Sequence, residues 1–380
     1  MHICFLSHEY PLWATGGIGS FIQTIGRELV KEGHTVTVIG SSNLINGDYI
    51  EDEGVSVYRL PSPKYFRKGS FVENIIKIRK KLKEIHLKTP IDIVEASEYG
   101  LFFLPRKTPY KKIVRLHGGH HFFAESENRP INSWKAYQER TSFKKADAFL
   151  AATQYVINHT GKYLSMEGRP VEVINFPINS ARFPQADLSK TKKHKLVFAG
   201  TVCEKKGIRQ LIQAIPIVAE KYPDVTLEIY GREWFFPDGT SYTQYLKNQF
   251  ADDVLSHVTF HGAIKLADIP SKYEEAELCT FPSHMETLGL VAPEAMMMGK
   301  PVLFSTEGPG PEIITHLQTG LLCNPHSSGD IAAKIIYAFD NSDDMRGIAK
   351  KGQEYALRMF SVKNSIISNI RFYQSLHENL

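Results

Sequence analysis

The sequence predicts an α/β protein with two doubly wound domains, each built on a parallel β-sheet. Apolar runs typical of buried strands alternate with helical patterns along nearly the whole 380-residue chain, and such alternation favours parallel strands joined by crossover helices. In the first half these runs fall at residues 3–6, 36–39, 93–95, 113–116 and 148–151. A second series predicts a second sheet, because the chain is longer than one ordinary domain; its runs fall at 196–200, 226–230, 258–260, 278–281 and 301–304.

Composition and charge are those of a globular protein. The net charge of +4 is modest and gives no indication of nucleic-acid binding. The four cysteines lack metal-ligand spacing, and Cys4 and Cys279 lie in strand-like runs, so we expect buried free thiols and a cytoplasmic setting. We expect neither a signal peptide nor a transmembrane helix, because the N-terminal apolar run is short and no run is long enough to cross a bilayer.

The domain boundary is expected in the polar, lysine-rich segment 186–195, which has no apolar periodicity. We therefore predict a first domain at residues 1–185, this segment as a linker, and a second domain at 196–360. The remaining residues, 361–380, predict a final helix. Its apolar face contains Val362, Ile366, Ile370 and Tyr373.

The stretch 281–322 carries the strongest functional pattern. A strand-like run gives way to a loop with Glu286 and Gly289. A helix then opens near Pro293, with Glu294 in its first turn. Free N–H groups at such a turn favour a phosphate, whereas the two carboxylates are better suited to accept hydrogen bonds from sugar hydroxyls. Taken singly, each glutamate has a simpler explanation, as a solvated loop residue or a partner of the helix dipole.

The whole run resembles the signature of the retaining family-4 glycosyltransferases, which have the GT-B fold. The two glutamates are followed by Gly299, by Pro301-Val302 and by Gly310-Pro311-Glu312, as in that family. The resemblance implies two Rossmann-like domains that face a central cleft, with a last helix that crosses back to the first domain. It also implies that Glu286 contacts the donor sugar and Glu294 holds the ribose, and that phosphate and sugar meet the loop amides of Gly289, Leu290 and Val291.

Two elements of the N-terminal half resemble the same family. Gly16-Gly17-x-Gly19 follows the first strand, where open sheets bind phosphates, although an ordinary tight turn explains this spacing as well. In the family, the matching glycines face the donor diphosphate. His117-Gly118 closes a later strand, and the resemblance implies that His117 is an active-site residue beside the donor sugar.

Two more histidines, His120 and His121, follow directly. Three histidines so close together are compatible with a metal site, but no acidic or cysteine ligand accompanies them at a fixed spacing, so we predict no metal. We expect His120 and His121 to line the acceptor side or to be exposed.

The loop after the strand at 196–200 resembles a second diphosphate-binding element of the family. Lys206-Gly207 is retained, but Thr201 occupies the position of the family's arginine. A cation on the departing diphosphate offsets the negative charge that develops as the glycosidic bond breaks. Either Lys206 suffices, or Lys205 or another basic residue substitutes for the arginine, or turnover is slow.

The site for the base is less well defined by the sequence. Ile264 lies in a segment that resembles the place where backbone groups meet the edge of the base. Arg232 and the aromatic residues 234–236 are compatible with stacking on a base and equally with an ordinary surface loop. The turn at Phe176-Pro177 departs from the family pattern.

Residues 64–112 carry an excess of lysine and arginine. Within this basic region, one helical face is apolar and contains Ile75, Ile78, Leu82 and Ile85. A core face with a solvated basic back is the ordinary explanation. The alternative is peripheral contact with anionic lipid at the inner face of a membrane.

These matches imply a retaining, metal-independent hexosyltransferase whose catalytic residues are His117, Glu286 and Lys206. The donor would be a nucleotide-diphosphate sugar, with UDP or GDP, and the acceptor a sugar or lipid-linked sugar in polysaccharide, glycolipid or other glycoconjugate biosynthesis. Thr201 keeps one alternative open, a non-catalytic GT-B binding subunit of a transferase complex. The carboxylate spacing speaks against an epimerase, and no cofactor lysine of the phosphorylase type is identified.

Overall fold

The computed structural model describes residues 1–11, 17–41, 46–61, 68–127 and 129–378. These residues form two compact units, the first comprising Met1–Pro177 with Val362–Leu380 and the second Ile178–Ser361. No helix in the described ranges combines the length and the apolar character needed to cross a membrane.

The first unit contains an eight-stranded sheet with the order β3-β4-β2-β1-β5-β6-β7-β8. Its strands are parallel except for β3, which pairs antiparallel with β4 at one edge. The strands are β1 His2–Leu6, β2 Thr35–Ser41, β3 Asp48–Asp52, β4 Val55–Leu60, β5 Ile93–Ala96, β6 Lys111–Leu116, β7 Ala148–Ala151 and β8 Val171–Val173. The helices are α1 Gly17–Lys31, α2 Lys68–Lys88, α3 His120–Ser126, α4 Ser133–Lys145, α5 Gln154–Gly161 and, from the C-terminus, α14 Val362–His377.

The second unit contains a six-stranded, fully parallel sheet with the order β11-β10-β9-β12-β13-β14. The strands are β9 Lys195–Ala199, β10 Thr226–Tyr230, β11 Val258–Gly262, β12 Leu278–Phe281, β13 Val302–Ser305 and β14 Leu321–Cys323. The helices are α6 Ile208–Ala219, α7 Tyr242–Gln249, α8 Asp252–Leu255, α9 Ile269–Glu275, α10 Val291–Met297, α11 Gly310–Ile313, α12 Ser328–Asp340 and α13 Ser342–Met359. The central strands are buried on both faces, which explains their continuous apolar runs.

The division between the units differs from the predicted one. Residues 178–185 belong to the second unit, and so does the predicted linker 186–195. This segment is fixed there because Ala186 donates its N–H to the carbonyl of Met298 at 3.0 Å and Lys190 forms an ion pair with Glu274 at 2.9 Å. Its lysines suggested a linker, but three of the four, Lys190, Lys192 and Lys195, form ion pairs with glutamates of α9.

The last helix, α14, returns to the first unit, as predicted. It packs through Asn369 and Tyr373, both fully buried. Asn369 Oδ1 accepts a hydrogen bond from Nη2 of Arg115 at 2.5 Å, and the hydroxyl of Tyr373 donates to Glu95 at 2.7 Å. The C-terminal helix therefore completes the core of the unit that contains the N-terminus.

Candidate active site

The strand order of the second sheet locates a binding edge. From β9 the chain winds outward through β10 and β11, and then crosses to the other side of β9 to form β12. In open α/β sheets, ligands bind at the carboxyl ends of the strands where the winding direction reverses. The loops that leave β9 and β12 therefore form the expected ligand edge of this unit.

These two loops bring Lys206 and Glu286 together. Lys206 ends a short 3₁₀ helix, Glu204–Lys206, after β9, and its Nζ forms an ion pair with Glu286 Oε1. Ser283 Oγ donates to the same oxygen at 3.2 Å. Both charged side chains are partly exposed, at 21% and 14%, so a ligand can reach them. The two residues predicted to be catalytic in this half of the chain are thus neighbours.

Two glycines allow the loops to approach this closely. Gly207 has a φ of +68°, and a Cβ at this position would lie 1.8 Å from the carbonyl oxygen of Pro282 in the loop after β12. Gly289 has a φ of +76°, and its Cβ would lie 2.7 Å from the ring of Phe304. Both positions therefore require glycine for conformation and for space.

Glu294 lies on α10, directly beyond the loop that contains Gly289. Leu290 precedes this helix and Val291 begins it. Burial raises the pKa of Glu294 to about 7, with an opposing effect from Arg182. In the part of the chain that the structure describes, no group donates a hydrogen bond to this carboxylate, so its oxygens are available to hydroxyl groups of a ligand.

A hydrogen-bond network that the sequence did not indicate stabilises the loop after β9. Glu204 accepts hydrogen bonds from Arg209, Gln210 and the hydroxyl of Tyr242. Burial would raise the pKa of Glu204, but these hydrogen bonds outweigh it and hold the pKa at about 2. The loop is therefore fixed by an ionised carboxylate, and its partners come from α6 and α7.

Two further predicted positions lie at the same edge. Thr201 follows Gly200 at the end of β9, and its Oγ1 accepts a hydrogen bond from Nε of Arg232 at 3.1 Å. Ile264 lies just after β11, two strands away from β9 in the sheet. Its contact with a base stays a prediction.

In the first unit, His117 follows β6 and packs against two aromatic rings that also contact each other. The ring centroids of Phe21 and Phe176 lie 5.5 and 5.1 Å from that of His117. Burial lowers the pKa of His117 to about 3, with a smaller contribution from Arg115. The imidazole is therefore neutral at physiological pH, as a hydrogen-bonding partner of a sugar hydroxyl would be.

A buried carboxyl group that the sequence did not indicate holds the backbone at His117. Glu98 Oε1 accepts hydrogen bonds from the N–H groups of His117 and Gly118, both at 2.7 Å. Burial raises the pKa of Glu98 to about 8 even though these hydrogen bonds oppose the shift. The contacts join residues nineteen and twenty positions apart, which no local pattern reveals.

This shift predicts how the stability of the ligand-free protein depends on pH. Native Glu98 keeps its proton up to about pH 8, whereas the ordinary pKa is 4.5. The native state therefore binds more protons than the unfolded chain between these values, and stability falls as the pH rises through this window. Each pKa unit corresponds to about 1.4 kcal/mol, so Glu98 alone should lower the melting temperature by several degrees between pH 5 and pH 8, against the opposite trend of histidines such as His117, whose pKa burial lowers. The melting temperature of Glu98→Gln relative to the unmodified protein should therefore rise over this range, and a constant difference between the two proteins would contradict this assignment.

His120 and His121 are not exposed, which corrects one of the two expectations for them. They are 3% and 2% exposed, and Glu139 accepts hydrogen bonds from both backbone N–H groups and from Nδ1 of His121. His121 also borders a cavity of about 350 Å³, together with Arg129 and Tyr163. Within the described ranges, no three His, Cys, Asp or Glu side chains are placed to share a metal ion.

The glycine-rich turn is only partly described. Gly16 lies outside the described residues, and Gly17 is the first residue of α1, where a Cβ would meet no atom within 4 Å. Nearby, a cavity of about 150 Å³ lies at the carboxyl ends of β1 and β5, where the winding of the first sheet reverses. The role of both glycines toward a diphosphate stays a prediction.

Solved structures with the same architecture are those of glycosyltransferases, so the chain has the GT-B fold. Sucrose-phosphate synthase from Thermosynechococcus elongatus superposes with a TM-score of 0.84 at 20% identity and full coverage of both chains. HepE of Anabaena, in complex with UDP and glucose, superposes with a TM-score of 0.78 at 19% identity, over 99% of this chain and 100% of its own. At these identities the likeness concerns the fold alone.

Sequence comparison identifies the family. The model of "Glycosyl transferases group 1" matches residues 179–355, and that of "Glycosyltransferase Family 4" matches residues 15–182. The two matches are adjacent along the chain, and the chain belongs to the family-4 glycosyltransferases. An uncharacterized glycosyltransferase of Methanocaldococcus jannaschii is 24% identical over all of this chain and 99% of its own. A glycogen synthase of Mycobacterium tuberculosis is 24% identical over 90% of this chain and 86% of its own.

Proposed function

We propose that this glycosyltransferase moves a hexosyl group from a UDP- or GDP-sugar to the hydroxyl of a sugar or lipid-linked sugar, with retention of configuration and without a metal ion. The products would belong to polysaccharide, glycolipid or other glycoconjugate biosynthesis in the cytoplasm. The observation that carries this proposal is the placement of Lys206 beside Glu286 at the switch point of the second sheet. A cation for a diphosphate and a carboxylate for a sugar then meet at one edge.

Each residue has a separate task in this proposal. Lys206 leaves Glu286 to bind the diphosphate, and Glu286 becomes free to accept hydrogen bonds from the sugar. Glu294, which lacks a donor among the described residues, accepts hydrogen bonds from the ribose. In the first unit, neutral His117 contacts a hydroxyl of the donor sugar.

In this proposal the acceptor attacks the anomeric carbon from the same face that the diphosphate leaves, and the configuration is therefore retained. The acceptor oxygen forms a bond to the anomeric carbon while the bond from this carbon to the diphosphate oxygen breaks. The electron pair goes to the diphosphate, and its oxygen takes the proton of the acceptor hydroxyl. Catalysis then depends on positioning and on stabilising the charge of the leaving group, which is what Lys206 and Glu286 are placed to do.

The nucleotide is tested by thermal shift without metal. We would measure melting temperatures with UDP, GDP and ADP and with their sugar conjugates, in the presence of EDTA. A ligand that binds only the native state raises the free energy of unfolding by about 2.7 kcal/mol when its concentration is a hundred times Kd. The melting temperature rises as a result. We expect UDP to give the largest rise, because HepE, with the same fold, was solved with UDP and with UDP-glucose. No rise with any nucleotide would overturn the proposal.

Retention and turnover need a separate measurement. Release of nucleoside diphosphate from the donor in the absence of an acceptor shows that the site is catalytic. The anomeric configuration of the transferred sugar, read by NMR, then decides the stereochemistry. An inverted product would contradict the retaining mechanism, and loss of activity in EDTA would contradict metal independence.

We also propose that α2 contacts anionic lipid. Its inner face is buried through Ile78, Leu82 and Ile85, as predicted. The opposite face presents one stripe with helical spacing, in which apolar ends flank a basic centre. It consists of Val72, Ile76, Lys80, Lys83 and Leu87, all exposed.

The composition of this stripe suits a membrane surface. Its apolar side chains are highly exposed, at 54% for Val72, 59% for Ile76 and 75% for Leu87. A group of exposed apolar side chains on one helix face is unusual when that face only contacts water. Lys80 and Lys83 have no acidic partner in the described part of the chain. A helix with apolar and basic side chains on one outward face lies at the boundary between lipid headgroups and acyl chains.

Sedimentation with phosphatidylglycerol vesicles at low salt tests this contact. Each lysine near an anionic surface contributes about 1 kcal/mol, so Lys80→Gln with Lys83→Gln should weaken partitioning about thirtyfold. The matched control is Lys350→Gln with Lys351→Gln, two exposed lysines of α13, which should leave partitioning unchanged. If the unmodified protein does not sediment with these vesicles, the membrane proposal is wrong.

A further inference from the structure

The loops that leave β9 and β10 continue side by side beyond the sheet. Gly200 donates its N–H to the carbonyl of Tyr230 at 2.9 Å, and Val202 donates to the carbonyl of Arg232 at 3.0 Å. The contact is so close that a Cβ at Gly231 would lie 1.6 Å from the carbonyl oxygen of Gly200. The backbone at Arg232 is therefore fixed beside the loop that leads to Lys206.

The side chain of Arg232 is turned toward the same loop. Its Nε donates a hydrogen bond to Oγ1 of Thr201 at 3.1 Å. No carboxylate pairs with Arg232 among the residues that the structure describes, although the other cations nearby have acidic partners. Lys206 pairs with Glu286, and Arg209 pairs with Glu204. Arg232 thus presents an uncompensated, exposed positive charge at the ligand edge.

We propose that Arg232 is a catalytic residue that binds the diphosphate of the donor and stabilises it as it departs. This inference rests on the proposed transfer from a nucleotide-diphosphate sugar. Arg232 thereby supplies a second cation beside Lys206 from the neighbouring loop, at the place where Thr201 has no charge of its own. The hydroxyl of Thr201 has a positioning role, because it holds the guanidinium through Nε.

The chemistry of the leaving group explains why a second cation is needed. When the bond between the anomeric carbon and the diphosphate oxygen breaks, the electron pair stays on that oxygen and adds negative charge to a group that is already anionic. Lys206 is a single point charge and must first leave Glu286. Arg232 has four further N–H donors once Nε is bound to Thr201, and a guanidinium of this kind can bind two phosphate oxygens at once.

The geometry favours this role over stacking on the base. Arg232 lies over no aromatic ring among the described residues, and its hydrogen bond joins it to the loop after β9. The neighbouring Trp234 packs instead on Phe236 and Tyr242, with ring centroids 5.0 and 6.0 Å away. The hydrogen bond to Thr201 directs Arg232 toward the loop that leads to Lys206, and we therefore assign it to the diphosphate and not to the base.

Ligands that differ only in their phosphates test the assignment. We would measure the affinities of UDP, UMP and uridine for the full chain and for Arg232→Ala, together with kcat for transfer. We expect Arg232→Ala to bind UDP at least tenfold more weakly and uridine unchanged, with a loss for UMP no larger than that for UDP, and kcat lower by about a hundredfold, as for other lost electrostatic groups. Arg346→Ala, at an exposed arginine of α13, is the matched control and should change neither value.

Moving the cation separates a catalytic role from a structural one. Thr201→Arg combined with Arg232→Ala places a guanidinium on the adjacent loop, and we expect it to restore at least a tenth of the lost kcat. Equal affinities of the unmodified protein and Arg232→Ala for UDP, or a parallel loss of UDP and uridine binding, would overturn the assignment. If the unmodified protein binds UDP and transfers sugar, such a result leaves the proposed function intact. If it binds neither UDP nor GDP, the proposed function itself fails.

Discussion

Replacing Glu286 with alanine should almost abolish glycosyl transfer while the protein stays folded. In the proposed reaction this carboxylate positions the donor sugar, and loss of one preorganised group in an active site lowers kcat by about 10²–10³. The expected cost in stability is small, because Glu286 and Lys206 form a partly exposed ion pair of a kind that contributes about 0–1 kcal/mol. Initial transfer rates and the melting temperature of Glu286→Ala measure these two effects.

The same variant makes a second, less obvious prediction about binding. In the ligand-free protein Glu286 neutralises Lys206, so its removal frees the lysine for a diphosphate. We therefore expect the affinity for UDP alone to be equal or higher in Glu286→Ala, even though transfer is lost. Lys206→Ala should show the opposite pattern, with weaker UDP binding.

A matched carboxylate controls for the change in charge. Glu220→Ala removes an exposed acidic residue of the same unit and should leave kcat and UDP affinity unchanged. Full transfer activity of Glu286→Ala would refute the assignment of Glu286 to the donor sugar. A rate loss that Glu286→Gln restores completely would show that the negative charge of this residue is not needed.

The largest expected effect on stability is at Arg115. This side chain is fully buried, and its Nε and Nη2 donate to the two oxygens of Glu95 at 2.6 and 3.0 Å. Nη2 also reaches Asn369 on α14, and the guanidinium lies 4.7 Å from the ring centroid of Phe21. Arg115→Ala would leave Glu95 buried without its cation, and breaking a buried pair in this way costs about 3–5 kcal/mol.

This loss is measured by denaturant unfolding. The spectroscopic probe should lie in the first unit, because the two units need not unfold together. Arg115→Lys should not rescue stability, since a lysine cannot reproduce the two parallel hydrogen bonds to Glu95. Arg371→Ala removes an exposed arginine from α14, the helix that Arg115 contacts through Asn369, and is the control. A loss in Arg115→Ala no larger than in this control would contradict the role of the buried pair.

Much of the fold could be predicted because its main signals are local. The buried parallel strands are short apolar runs, and several of them, such as β1 and β9, are followed by a helix with one apolar face. The hairpin of β3 and β4 was missed because it lies at the sheet edge, where polar residues such as Asp48 and Glu51 are tolerated. The unit boundary at Pro177 was also misplaced, since ion pairs to α9 over more than eighty positions fix the following segment.

The site shows the same division between local and distant signals. Glu286 and Glu294 could be found because they share one continuous stretch with glycines and prolines at matching places. Glu98 could not be found, and Arg232 was noted only for a possible contact with the base, because their partners His117 and Thr201 are distant in sequence. Only the sheet order, which brings the ends of separate strands to one edge, makes these contacts visible.

The return of α14 to the first unit has a consequence for synthesis on the ribosome. The second unit is, in chain order, an insertion within the first, so nascent first-unit residues cannot contact Asn369 and Tyr373 until α14 has left the exit tunnel. Until then Arg115 and Glu95 lack part of their buried hydrogen bonds. Domains commonly fold in order from the N-terminus during translation, but here the second unit can be complete before the first. The unit that begins the chain is therefore the last to reach its native state, and it is the one that a chaperone would have to protect.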